Sequence, residues 1–173
     1  MQQPFNPDLS APPEWQELDS ISFLSYKSYV SGEPNGNRIR MKYYRHKETK
    51  EMLAKVWFGP GAQGPPGQAH GGSTAAVMDE GMGIAAWLAG HLVLAAKLNI
   101  EYKKLLPLGT VATLQARVVE VKGIRVKMTA ELIGEEGEFF CKAEGLFIKI
   151  RPERLGEEAR KLHEKFLNEN GTL

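Results

Sequence analysis

The sequence predicts an α+β domain in which an antiparallel sheet curls around one long helix. Three observations predict it. Residues 73–89 form a helical segment about 26 Å long that is apolar nearly all round, from Ala75, Ala76, Val77 and Met78 to Met82, Ile84, Ala85, Ala86, Trp87 and Leu88. A helix with no polar face is a buried helix. On both sides of it the period falls to two, as in residues 124–133, where Ile124, Val126, Met128, Ala130 and Leu132 alternate with Arg125, Lys127, Thr129 and Glu131. Such alternation marks a strand with one buried face. Short glycine turns join the later strands, so they run antiparallel, and one helix that is apolar on all sides needs a sheet wrapped about it.

Taken in order, residues 1–13 hold Pro4, Pro7, Pro12 and Pro13 and read as extended or mobile chain. Pro13 suits the start of a short helix over 14–18. Residues 21–30 mix aromatics and serines and fit helix or strand equally. Residues 32–37 are a turn by composition. Residues 39–44 and 52–58 form two strands of a hairpin, joined by the charged stretch 45–50. The segment from Gly64 to Gly72 contains Pro65 and Pro66 and four glycines, which excludes regular structure. Ser73 then serves as the expected helix N-cap and Gly90 as its stop.

Alternation returns at Leu98, Ile100 and Tyr102, followed by a turn at Pro107-Leu108-Gly109. Residues 110–121 and 124–133 flank Lys122-Gly123, a two-residue hairpin signal. In residues 139–150 the apolar phase switches from Phe139, Cys141 and Ala143 to Leu146, Ile148 and Ile150, and a bulge at Gly145 would account for it. Leu155, Ala159, Leu162 and Phe166 are spaced as an amphipathic C-terminal helix.

Length and composition bound the function. A chain of 173 residues with 42% hydrophobic content has enough material for one cored domain. Its net charge of +1 argues against a nucleic-acid or membrane-binding surface. Apolar runs fall short of a membrane span, and residues 1–9 show neither a basic cluster nor an apolar stretch, so a cytoplasmic protein without a signal peptide is expected. The Asn170-Gly171-Thr172 sequon carries no weight in that compartment. Cys141 is the one cysteine, which excludes an intramolecular disulfide; it reads as a buried structural thiol.

Several motifs fail on inspection. Gly59 to Gly64 spells a dinucleotide-binding fingerprint, but Pro65 and Pro66 forbid the helix it must open. No lysine follows the glycines, so a phosphate loop of the Walker type is excluded too. No serine sits in a nucleophile elbow. His46, His70, His91 and His163 lack metal-ligand spacing with each other or with Cys141, so neither a metal nor a cofactor is expected.

What remains is His70-Gly71-Gly72 at the helix start and the adjacent carboxylates Asp79 and Glu80 within it. Neighbours on a helix point about 100° apart, so one of the pair can reach solvent while the other faces apolar surroundings, which is costly for a charge. Backbone N–H groups at a helix start are unpaired donors with partial positive charge. If a substrate carbonyl approaches the Gly71 N–H, that amide forms an oxyanion hole. His70 orients the same carbonyl, and Asp79 attacks its carbon or activates a water. A thioester suits such apparatus, because its thiolate leaves with little protonation. Gly72, Ser73, Met82 and Trp87 are the candidate substrate-binding residues.

The segments Gly64-Pro65-Pro66-Gly67-Gln68-Ala69-His70-Gly71-Gly72-Ser73 through Asp79, Leu98-Asn99-Ile100-Glu101-Tyr102-Lys103-Lys104 and Ala143-Glu144-Gly145-Leu146-Phe147-Ile148-Lys149 together resemble the hotdog-fold acyl-CoA thioesterases. The likeness is to the phenylacetate-pathway (PaaI-like) and carboxyl-terminal modulator protein types. It covers residues 38–150, leaving 1–37 as an N-terminal extension and 151–173 as a C-terminal helix and tail. The resemblance implies an acyl-CoA substrate and a homodimer, or a dimer of dimers, joining two sheets edge to edge. Asp79 of one chain would face His70 and Gly71 of the other. One departure is Ala95, which stands where modulator-type relatives place a threonine. The rival readings are a hotdog enoyl-CoA hydratase or dehydratase, against which the His70-to-Asp79 spacing argues, and a non-catalytic acyl-CoA-binding protein.

Overall fold

The computed structural model describes residues 6–18, 28–49, 51–157, 160, 161, 164, 165 and 168. Among them lie the strands β1 (Trp15–Glu17), β2 (Ile39–His46) and β3 (Met52–Phe58), the helix α1 (Gly71–Leu88), and the strands β4 (Val93–Tyr102), β5 (Val111–Lys122), β6 (Arg125–Gly134) and β7 (Phe139–Lys149). The strands form one antiparallel sheet in the order β1-β2-β3-β5-β6-β7-β4, and α1 packs on its inner face. This is the arrangement expected from the buried helix and the alternating strands.

The alternation of β6 translates directly into packing. Val126, Met128, Ala130 and Leu132 point inward at 2% exposure or less, against a helix whose Val77, Met78, Met82 and Ala86 are fully buried. Helix and sheet meet closely at Gly81, where a Cβ would lie 2.1 Å from the Leu114 side chain of β5. Glycine at that position sets the depth to which α1 sinks.

Four expectations need correction. The segment 14–18 is not a helix but holds β1, in register with β2 from Trp15 opposite His46 to Glu17 opposite Tyr44. Five residues cannot sustain a helical nucleus, whereas the free edge of β2 offers backbone partners. Trp15 also stacks edge-on to His46, and Glu17 pairs with Lys42 at 2.9 Å. The β5–β6 turn sits one residue later than Lys122-Gly123: Lys122 still pairs with Arg125, so Gly123 (φ 57°) and Ile124 form the tip. Ile124 is therefore 62% exposed and leaves the inner face.

The third correction is at Gly145, which carries no bulge: it sits in register between Met128 of β6 and Leu98 of β4. The inner face of β7 runs unbroken through Cys141, Ala143, Gly145 and Phe147, so Leu146 and Ile148 belong to the outer face. Gly145 is small because a Cβ there would meet the Phe147 ring at 2.5 Å. The β6–β7 irregularity lies instead between Leu132 and Ile133. The fourth is the N-cap of α1, taken up below; Gly90 does end the helix, with φ 77°.

Of the C-terminal helix, residues 156, 157, 160, 161, 164, 165 and 168 are helical, and Arg160 pairs with Glu164 one turn on. Its expected apolar positions Ala159, Leu162 and Phe166, like most of the ambiguous stretch 21–30, lie outside the described residues.

Candidate active site

The loop that leads into α1 is stitched on both sides. Gly64 N–H donates to the Gln68 carbonyl, Ala69 N–H to Leu106 and His70 N–H to Ala62, at 2.9, 2.8 and 2.7 Å. Gly64 packs so near His70 that a Cβ would fall 2.8 Å from the His70 Cα. The prolines and glycines that exclude regular structure thus build a fixed cradle, and the entry to the helix is preorganised.

His70, not Ser73, is the N-cap of α1. Its Nδ1 accepts from the Gly72 N–H at 2.9 Å, and its carbonyl accepts from the Ser73 and Thr74 N–H groups. An imidazole nitrogen can accept only when unprotonated, so in the neutral ring the proton sits on Nε2, and His70 presents a donor outward. The expectation failed because Ser is a commoner N-cap than His and because paired glycines read as loop. Three of the first four amides of the helix are now used. The Gly71 N–H has no partner among the described residues, while the Gly71 carbonyl accepts from the Tyr102 hydroxyl at 2.9 Å. Gly71 and Tyr102 line a cavity of about 390 Å³ with Thr74, Lys104, Leu106 and Phe140.

The two carboxylates part company as their helical positions require. Glu80 turns toward β2 and accepts hydrogen bonds from the Tyr43 hydroxyl and the Ser28 hydroxyl, each at 2.5 Å. Asp79 is half-buried and has no hydrogen bond or ion pair among the described residues. Burial, and secondarily the charge of Glu80, push its carboxyl above the usual carboxylate range. A helical turn further along the same side, Gly83 faces open space, since a Cβ there would meet nothing within 4 Å. Trp87, part-buried, continues that side. Met82 does not: it is fully buried in the core, which removes it from any surface that a ligand can reach in the single chain.

Within one chain Gly71 and Asp79 stand about 12 Å apart along the helix axis, too far to act on one carbonyl. The sheet ends in β4, whose open edge exposes Leu94 at 52% and Tyr102 at 54%. Ala95 lies on that strand, exposed and opposite Phe147. Sequence reasoning missed Tyr43, Ser28 and Tyr102. Tyr43 carried a signal in the alternation of β2; Ser28 carried none. Among the described residues no three His, Cys, Asp or Glu side chains gather as a metal site requires, and no helix is long and apolar enough to cross a membrane.

Comparison with known proteins fits this geometry. Residues 66–141 match the thioesterase superfamily model. The chain is 32% identical to mouse (Mus musculus) acyl-coenzyme A thioesterase THEM5 over 114 residues, 65% of this chain and 46% of that protein. The chain spans about half the length of the curated relatives it matches. A Bacillus halodurans protein solved with CoA superposes with TM-score 0.59 at 23% identity, over 76% of this chain and 88% of that one. The PaaI protein of the E. coli phenylacetic acid degradation operon superposes with TM-score 0.55 at 14% identity, over 57% and 75%. The shared architecture is the hotdog fold.

Proposed function

We propose, from the match of residues 66–141 to the thioesterase superfamily model, that this chain is a thioesterase that hydrolyses an acyl-CoA thioester to free acid and CoA. One observation carries the reading: a helix-start amide at Gly71 and a half-buried carboxylate at Asp79 have no partner among the described residues and lie too far apart to meet within one chain. Two copies joined along their β4 edges would bring the Asp79 of one to the Gly71 of the other, so the active unit is a homodimer.

In that unit the thioester carbonyl oxygen accepts from the Gly71 N–H, with the His70 Nε2–H as a second donor. Asp79 takes a proton from water as the oxygen adds to the carbonyl carbon. The tetrahedral intermediate then expels the CoA thiolate, which takes up the proton from Asp79. Direct attack by the Asp79 carboxylate, followed by hydrolysis of the anhydride, uses the same groups. The relatives named acyl-coenzyme A thioesterases and the fold relative solved with CoA support this substrate class. Gly72 and Ser73 border the donor end, and Trp87, on the side of Asp79, is placed to border the acyl group.

The test is thiol release from acyl-CoAs of graded chain length. The wild-type chain releases CoA and Asp79→Asn does not; tight acyl-CoA binding without thiol release would make the chain a binding protein instead.

A further inference from the structure

Glu80 has no part in the reaction just described, yet it is the most elaborately held carboxylate of the helix. One oxygen accepts from Tyr43, which is fully enclosed on β2, and the other accepts from Ser28, in the segment leading toward β2. Ser28 is itself tied down: its Oγ lies 3.3 Å from the Val30 N–H, and its carbonyl accepts from the Gly32 N–H at 3.0 Å. Glu80 therefore joins three separate parts of the chain at one point, one residue from Asp79.

We propose that Glu80, clamped by Tyr43 and Ser28, is a positioning residue for Asp79: it fixes the rotation of α1 so that Asp79 alone faces outward, and holds a negative charge beside it. This rests on the thioesterase reading. The clamp matters because α1 has no polar face to set its rotation; apart from the Tyr102 hydroxyl on the Gly71 carbonyl in its first turn, its other contacts with the sheet are apolar and carry no directional bond. The held charge matters because it opposes ionisation of Asp79, adding to the effect of burial and giving a stronger base. Among the described residues Glu80 is the one charge found to act on Asp79. Of the other titratable groups on this side of the sheet, the cation Arg45 lies two residues beyond Tyr43 on β2 and is part-exposed, and three are neutral at ordinary pH. Tyr43 is held well above its usual range by burial and then by Glu80, the Cys141 thiol of β7 is pushed by burial to about 12, and Tyr102 of β4 is raised by burial. The inward residues of β5 and β6 are apolar.

The experiment titrates the Asp79 carboxyl by carbon-13 NMR in aspartate-labelled protein, with Asp79→Asn identifying its signal. Glu80→Gln keeps an acceptor for Tyr43 and removes the charge, so the Asp79 midpoint falls by roughly half a pH unit. The acid limb of kcat/KM falls with it. Tyr43→Phe leaves the charge and releases the clamp: the midpoint holds while kcat drops about fivefold at unchanged KM. An Asp79 midpoint that does not move in Glu80→Gln overturns the proposal, as does full kcat in Tyr43→Phe. Because the titration needs no turnover, a shifted midpoint without thiol release by the wild type would sink the thioesterase reading and leave the coupling of Glu80 to Asp79 standing.

Discussion

The two sides of α1 are built to opposite specifications. One presses Val77, Gly81, Ala85 and Leu88 into the sheet, with no room beside Gly81 for a single methyl group. The other carries Asp79, Gly83 and Trp87, all part-exposed, with empty space around Gly83. Two glycines two residues apart thus serve different ends: one lets the helix sink, the other leaves space beside a reactive acid. The sheet edges repeat the contrast. β1 is three residues long and its exposed residues are polar, as a strand that must not recruit partners should be, whereas β4 runs for ten residues with apolar side chains in solvent.

The largest effect should come from the open side. Asp79→Asn lowers kcat about a thousandfold with the oligomer intact, as thiol release and sedimentation would record; full activity would remove Asp79 from the mechanism. Next comes the open edge. Leu94→Lys places a charge on β4 and should raise the dissociation constant for self-association about tenfold or more, and thiol release at low protein concentration should fall in parallel. Monomers of undiminished activity would refute the cross-chain site.

The glycine pair gives smaller, opposite shifts in stability. Gly81→Ala overpacks against Leu114 by about 1–3 kcal/mol, partly offset by a helix-propensity gain of about 1 kcal/mol, for a net loss of roughly 1 kcal/mol in denaturant unfolding. Gly83→Ala has only the gain, and should be more stable by up to about 1 kcal/mol while losing activity on bulky acyl groups.

The smallest effect is a matter of sign. The Asp79 carboxyl titrates higher folded than unfolded, so its contribution is favourable below the unfolded value and is lost as pH rises through the folded one. Asp79→Asn should therefore raise the unfolding temperature by about 2 °C near neutral pH, with the gain vanishing in acid.

How much of this was legible in the sequence depended on the range of the interaction. β6 and the buried helix could be read because period and hydrophobicity are local. β1 could not, because its structure comes from the free edge of β2. Likewise the clamp on Glu80 joins Ser28 and Tyr43 to a distant helix. The start of the helix lay between these cases: the free amide at Gly71 was foreseeable from helix geometry, but not the cap formed by His70, a side chain that N-cap preferences rank low. At Gly145 the error was to explain an apolar outer face by a bulge, when Leu146 and Ile148 simply make that face apolar.

The central claim is that the acid and the amide donor come from different chains, and subunit complementation tests it most directly. Gly71→Pro deletes the N–H at the first helical position, where proline is tolerated, and the extended backbone of His70 suits a residue before proline. Gly71→Pro and Asp79→Asn should each be inactive alone. Co-expressed with different tags and purified as the mixed dimer, they leave one intact site of two, made from the Asp79 of the first and the Gly71 of the second. The account predicts about half of wild-type thiol release from that mixed dimer; a mixed dimer as inactive as its parents would contradict it.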